Sequence, residues 1–258
     1  MHGQHRADRH ALPHRGQFRS DLRGGQVQGL VAQRPCHAHT RRTFASGGPR
    51  CGSALKLIGS NTSPYVRKAR LVLLEKNIPH TYLVDPPSDP NSSVYRVNPL
   101  GRIPALILDE ETCVFDSPVI AEYVDTLNDT PILIPRHDAL ARMRVKRWEA
   151  LADGIMDSAI VVRNERIRPA EKQEQSNIDL HLTAVTRTLE HVAGQLGDRA
   201  WCEGDSITLA DLALLSALVY LDLRQPERDW RSAHPNLAAW FNRMSTRPGV
   251  KTSLAEQT

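Results

Sequence analysis

Cysteine is scarce in this chain. The four cysteines, Cys36, Cys51, Cys113 and Cys202, lie far apart and form no C-x-x-C pair. That spacing excludes a cysteine zinc site and a disulfide framework, and it fits a reducing, cytoplasmic setting. Long apolar runs are missing as well. The longest, Leu209 to Leu221, is interrupted by Asp211 and is too short to cross a bilayer, so no membrane segment is expected. Lysine is absent from residues 1–53, and the only acids there are Asp8 and Asp21, against nine arginines and six histidines. The remaining residues carry 24 basic against 27 acidic side chains. The pI near 9.0 therefore belongs to the leader, which removes the hint of nucleic-acid binding from the body.

Residues 1–53 are rich in Arg, His, Gly, Gln and Pro and show no apolar periodicity, so disorder is expected there. Three origins compete. The composition fits upstream sequence read from a mis-assigned start. Arg41-Arg42-Thr43-Phe44-Ala45 gives a faint transit-peptide pattern, and Cys36-His37-Ala38-His39 offers an adventitious metal contact.

Order is expected from residue 54. Leu55 to Ile58 alternates as a strand, and Ser63-Pro64 starts a helix running to about Asn77, with Ser as N-cap and Pro at the first helical position. Thr81 to Val84 reads as a second strand, followed by a polar loop from Asp85 to Ser93. Pro104 to Leu108 and Cys113 to Phe115 form a hairpin pair, and Ser117-Pro118 repeats the helix-start signal. Residues 129–136, with two prolines, read as a linker. Beyond it every pattern is helical. Trp148, Leu151, Ile155, Ala159 and Val162 share one face, as do Ile178, Leu182, Val185, Leu189, Val192 and Leu196. Leu209 to Leu221 is apolar nearly all round, as in a central buried helix, and Leu237, Trp240, Phe241 and Met244 line another. Residues 251–258 read as a tail.

The two Ser-Pro starts carry the chemistry. A helix N-terminus presents unpaired N–H groups and partial positive charge, so it favours an anion. In a strand–helix layout both could open at one sheet edge, one facing a thiolate and the other a carboxylate; equally, Ser-Pro caps helices where no ligand binds. Asn98-Pro99-Leu100-Gly101-Arg102-Ile103-Pro104 leads into a strand, where a cis Pro104 would expose the Ile103 backbone to an extended peptide. A plain loop-to-strand junction is the alternative.

Together these runs, with Thr62-Ser63-Pro64-Tyr65-Val66-Arg67-Lys68, Phe115-Asp116-Ser117-Pro118 and Glu149-Ala150-Leu151-Ala152-Asp153-Gly154-Ile155-Met156-Asp157, resemble the glutathione S-transferases, and among them the YibF-like bacterial group. The resemblance implies a thioredoxin-like glutathione-binding domain over 54–128 and an all-helical domain over 137–250. It also implies roles. Ser63 would face the glutathione sulfur, where other members place serine or cysteine. Ile103, before the cis-proline Pro104, would pair with the cysteinyl backbone. Asp116 and Ser117 would hold the γ-glutamyl ammonium and carboxylate, and Arg102 the glycyl carboxylate. The implied activity is transfer of an electrophile to glutathione, with dehalogenation, peroxide reduction and isomerisation as related reactions; the implied partners are glutathione, a small hydrophobic electrophile and a second copy of the chain. No metal is expected. The electrophile would lie near 160–166.

Ser63 in place of cysteine weighs against thiol transfer through a mixed disulfide, which needs a protein thiolate at that helix start. Other distinctive residues are read as structural. Thr208 and Asp211 form a capping box, with Ile207 and Leu212 as a staple. Asp153 and Asp157, one turn apart, are expected to hydrogen-bond around Gly154 rather than hold a metal, and Trp148, Trp201 and Trp240 are taken as core. A non-catalytic binding module on the same fold is the rival reading.

Overall fold

The computed structural model describes residues 55–255; the expectations for the leader lie outside them. Strand β1 (Leu55–Gly59) leads into helix α1 (Pro64–Glu75), and β2 (His80–Val84) returns parallel to β1. A short helix α2 (Val94–Val97) precedes β3 (Ala105–Ile107) and β4 (Cys113–Val114), and α3 (Ser117–Asp125) closes this half. The sheet order is β2-β1-β3-β4, with β3 antiparallel to both β1 and β4. The second half is helical: α4 (Ala139–Arg166), a 3-10 turn at Ala170–Lys172, α5 (Gln175–Leu196), α6 (Leu209–Arg224), α7 (Trp230–Ala233), α8 (Pro235–Ser245) and α9 (Pro248–Ala255).

Helix α1 starts where its sequence signal lies. Ser63 is extended, with Pro64 at the first helical position, and the Ser63 Oγ accepts from Val66 N–H at 3.4 Å. The helix ends at Lys76, and Asn77 takes a positive φ of 52° that an asparagine tolerates. The second Ser-Pro start falls one residue earlier than the pattern implies. Asp116, not Ser117, occupies the cap position, and Ser117 is the first helical residue.

One apolar cluster runs through both halves, from Leu57, Leu73 and Leu106 to Trp148, Leu215 and Trp240. Helix α6 is its axis, buried from Leu209 through Leu221 and packed on α4 and α1. Full burial explains the absence of a polar stripe there. Trp148 and Trp240 are core as expected, Trp201 is only half-buried, and Trp230 joins them edge-on to Phe241 at 5.5 Å.

The segment between the halves is held by Lys76. Its buried ammonium donates to the Asp125 carboxylate and to the carbonyls of Asp125, Asn128 and Pro131. The Asp125 carboxylate in turn accepts from the N–H groups of Leu133 and Ile134. Leu133 passes its carbonyl to the Leu209 N–H at the start of α6, at 2.9 Å. A salt-bridged pair thus satisfies irregular backbone on both sides.

Helix α2 follows the expected polar loop of Asp85 to Ser93, one turn anchored by the buried Val94 and too short to leave a periodic signal. One expectation is corrected. The expected tail over 251–258 is helical through Ala255, because Val250 and Ser253 bury against α1. Among the described residues, no helix is long and apolar enough to cross a membrane.

Candidate functional site

Strand register gathers three loops at one end of the sheet. Ile58, near the end of β1, pairs with Ala105, the first residue of β3. Val114, the last residue of β4, pairs with Leu106. The loop after β1, the approach to β3 and the exit from β4 therefore converge. They carry Ser63, Ile103–Pro104 and Asp116–Ser117, so the parallel–antiparallel order of the sheet brings together residues that are 53 apart in sequence.

Each position has its own local cause. Asn98, 2% exposed, shapes the approach to β3: its Nδ2 donates to the Arg102 carbonyl at 2.8 Å and its Oδ1 accepts from Leu100 N–H at 2.9 Å. Gly101 has a φ of 60° and lies under the Tyr95 ring, so a Cβ there would be both strained and crowded. The Ile103–Pro104 bond is cis, with Pro104 buried and Ile103 half-buried. Arg102 is exposed beside it. Asp116 is exposed, and its carboxylate makes no capping bond to α3, whereas Ser117 is buried at 2%. One exposed carboxylate thus stands beside the N–H groups that open a helix.

Thr208 and Asp211 lie apart from this edge, at the start of α6. The Asp211 carboxylate accepts from Thr208 N–H at 2.9 Å, Thr208 Oγ1 at 3.1 Å and Cys202 N–H at 2.8 Å. Burial pushes the Asp211 carboxyl up in spite of these bonds. Burial also raises the Cys113 thiol and, more strongly, that of Cys202, which keeps both protonated and unsuited to nucleophilic work. No cluster of three metal-ligating side chains occurs among the described residues.

The pattern along the chain did not disclose what α1 does with its charges. Arg67, Lys68 and Arg70 are all buried. Lys68 Nζ donates to Glu149 Oε1 at 2.9 Å and to Asp153 Oδ1 at 2.7 Å. Glu149 also pairs with Lys146, which reaches Glu122 of α3 at 2.9 Å. The Tyr65 hydroxyl donates to Asp157. Burial and then that bond push the Tyr65 phenol above its ordinary value, so it stays a donor. Asp153 and Asp157 therefore face α1, not Gly154, which corrects the expectation for that pair. The signal was present as Glu149, Asp153 and Asp157, spaced by four on one helix stripe. Its partner stripe on α1 could be named only once the helices were packed.

The glutathione S-transferase N-terminal domain model matches residues 62–127, and the family's C-terminal domain model matches residues 169–243. The GST-like protein YibF of Escherichia coli (strain K12) is 38% identical over 193 residues, covering 75% of this chain and 95% of its own. The chain belongs to the glutathione S-transferase family. A crystal structure of a glutathione S-transferase from Methylobacillus flagellatus, with glutathione bound, is 41% identical and superposes with a TM-score of 0.76, covering 78% of this chain and 98% of that one. Elongation factor 1-gamma of Danio rerio is 31% identical over 163 residues, which are 61% of this chain but only 35% of that protein. The first half is accordingly the thioredoxin-like domain of the family, and the second its helical domain.

Proposed function

We propose that this protein is a glutathione transferase that activates the thiol of glutathione for attack on a small hydrophobic electrophile. The observation that supports the reading is the convergence of Ser63, Ile103 and Asp116–Ser117 at one sheet edge, beneath the N-termini of α1 and α3. Glutathione is a substrate whose charges suit that edge. The Asp116 carboxylate takes the γ-glutamyl ammonium. The Ser117 hydroxyl and the first N–H groups of α3 take the γ-glutamyl carboxylate. The Ile103 backbone pairs with the cysteinyl unit, and Arg102 takes the glycyl carboxylate.

The chemistry then depends on one proton. A free thiol near pKa 8.5 is mostly protonated at neutral pH, and its thiolate is the nucleophile. The Ser63 O–H donates to the sulfur, and the positive end of α1 favours its charge. The thiolate forms a sulfur–carbon bond while the leaving group departs with its electron pair. No covalent protein residue is required. We place the protein in the cytoplasm as a homodimer serving detoxification of electrophiles.

The relationship to elongation factor 1-gamma supports a second reading, a glutathione-binding or protein-interaction module without turnover. Calorimetric titration with glutathione separates the readings step by step. Asp116→Ala should weaken binding by about 10- to 100-fold through loss of a charge-assisted contact. Ser63→Ala should leave affinity within about threefold yet raise the pKa of the bound thiol. Absence of both heat and thermal stabilisation at millimolar glutathione would overturn the enzyme reading.

A further inference from the structure

Helix α9 lies antiparallel along α1, and two contacts fix its register. Gly249 sits against Leu74, where an added Cβ would come within 3.1 Å of the leucine Cβ. Seven residues earlier on α1, Arg67 meets Ser253 on α9. Arg67 Nη1 donates to the Ser253 carbonyl at 2.7 Å and to its Oγ at 2.9 Å, and both residues are buried, at 5% and 3% exposure. The Arg247–Glu75 ion pair holds the opposite end.

Arg67 has a second arm. Its Nη2 donates to the Asn61 carbonyl at 3.2 Å, in the loop between β1 and α1. Its own backbone N–H bonds the Ser63 carbonyl at 3.0 Å. Asn61 is held from the other side by the Tyr82 hydroxyl at 3.1 Å. One buried guanidinium thus ties the last turn of α9 to the loop that carries Ser63, two residues past Asn61. A planar fork presents its donors in fixed directions from separate nitrogens, whereas an ammonium is a compact point charge.

We propose that α9 is a positioning element for the thiol site, acting through Arg67 to hold the 60–63 loop and so set where the Ser63 hydroxyl points. This rests on the glutathione transferase reading for what Ser63 faces, but the brace itself does not. A loop free to shift would lose the aim of its donor while the γ-glutamyl contacts at Asp116 and Ser117 stay intact.

The test uses full-length Arg67→Met, Arg67→Lys and Gly249→Val, the last wedging α9 away without touching the arginine. Hydrogen exchange of the 60–66 amides reads the brace with no ligand present. It should quicken selectively in Arg67→Met and Gly249→Val, and less in Arg67→Lys. With glutathione bound, thiolate ultraviolet absorbance against pH reads the consequence. The pKa of the bound thiol should rise by about one, with little change in affinity. Unchanged exchange at 60–66 overturns the proposal, as does a wild-type thiol pKa in variants that have lost only thermal stability. A wild-type chain that binds no glutathione refutes the function proposed above, and the exchange data then decide the brace alone.

Discussion

Lys68 is the side chain whose removal should be felt most. Its ammonium is fully buried and makes three contacts of 2.7 to 2.9 Å with Glu149 and Asp153. Lys68→Met keeps most of the stem and removes the charge, leaving two carboxylates that face α1 with Lys146 alone to balance them. Removing one partner of a buried pair costs about 3–5 kcal/mol. Asp153 keeps 22% of its side chain exposed and Glu149 keeps Lys146, so the lower end, about 3 kcal/mol, is expected here. In a chain of this size that corresponds to a fall in Tm of roughly 6–12 °C.

The same substitution should make stability depend on pH in a defined direction. Burial already raises the Asp153 carboxyl, with Lys68 opposing it. Without Lys68 the native-state value rises further, while the unfolded value stays near 3.9. A raised carboxyl binds more protons in the native state than in the unfolded one, so stability falls as pH rises through the native value. The variant's deficit should therefore be smaller at about pH 5 than at about pH 8. Urea unfolding followed by the fluorescence of buried Trp148, next to Glu149, measures both. The double variant Lys68→Met/Asp153→Leu should recover part of the loss, since an apolar pair removes the stranded charge. A deficit under about 1 kcal/mol, the range of an exposed pair, would refute the reasoning, as would one that ignores pH.

Three further outcomes follow from packing and capping. Asp211→Ala removes the acceptor for Thr208 N–H, Thr208 Oγ1 and Cys202 N–H, and should cost about 2 kcal/mol in denaturant unfolding. Gly59→Ala would place a Cβ 2.4 Å from Val66 Cγ1, and because a β-branched neighbour has little freedom to yield, a loss of about 1–3 kcal/mol is expected. Brief alkylation of the native protein with peptide mapping should leave Cys202 unmodified until unfolding, because its thiol is both buried and raised in pKa.

Much of the framework was legible in local chemistry. Ser63-Pro64 marks the start of α1 because an N-cap hydroxyl and a pre-set φ act within a few residues. Leu209 to Leu221 reads as a buried helix because full burial leaves no polar stripe. The proposed site residues were legible for a different reason: the Ser63, Ile103 and Asp116–Ser117 runs follow one another along the chain in the family's order, and the resemblance implied the roles proposed for them. Short elements were not legible. Helix α2 spans four residues, about one turn and too few to show a repeat, and α9 is a polar-looking segment whose burial depends on α1.

Along one chain, residue type alone determined where α1 begins, which faces of the long helices are apolar, and that position 63 offers a hydroxyl rather than a thiol. These follow from interactions spanning one or two turns. Tertiary structure alone decided the convergence of the three loops, because strand direction and register set which ends meet. It also decided that Lys68, Arg67 and Lys76, charged residues that would ordinarily face water, are buried. Burying a charge is favourable only where partners from α4, α9 and the 125–131 segment arrive at hydrogen-bonding distance. Those partners lie 49 to 186 residues away in sequence, beyond the reach of any local pattern.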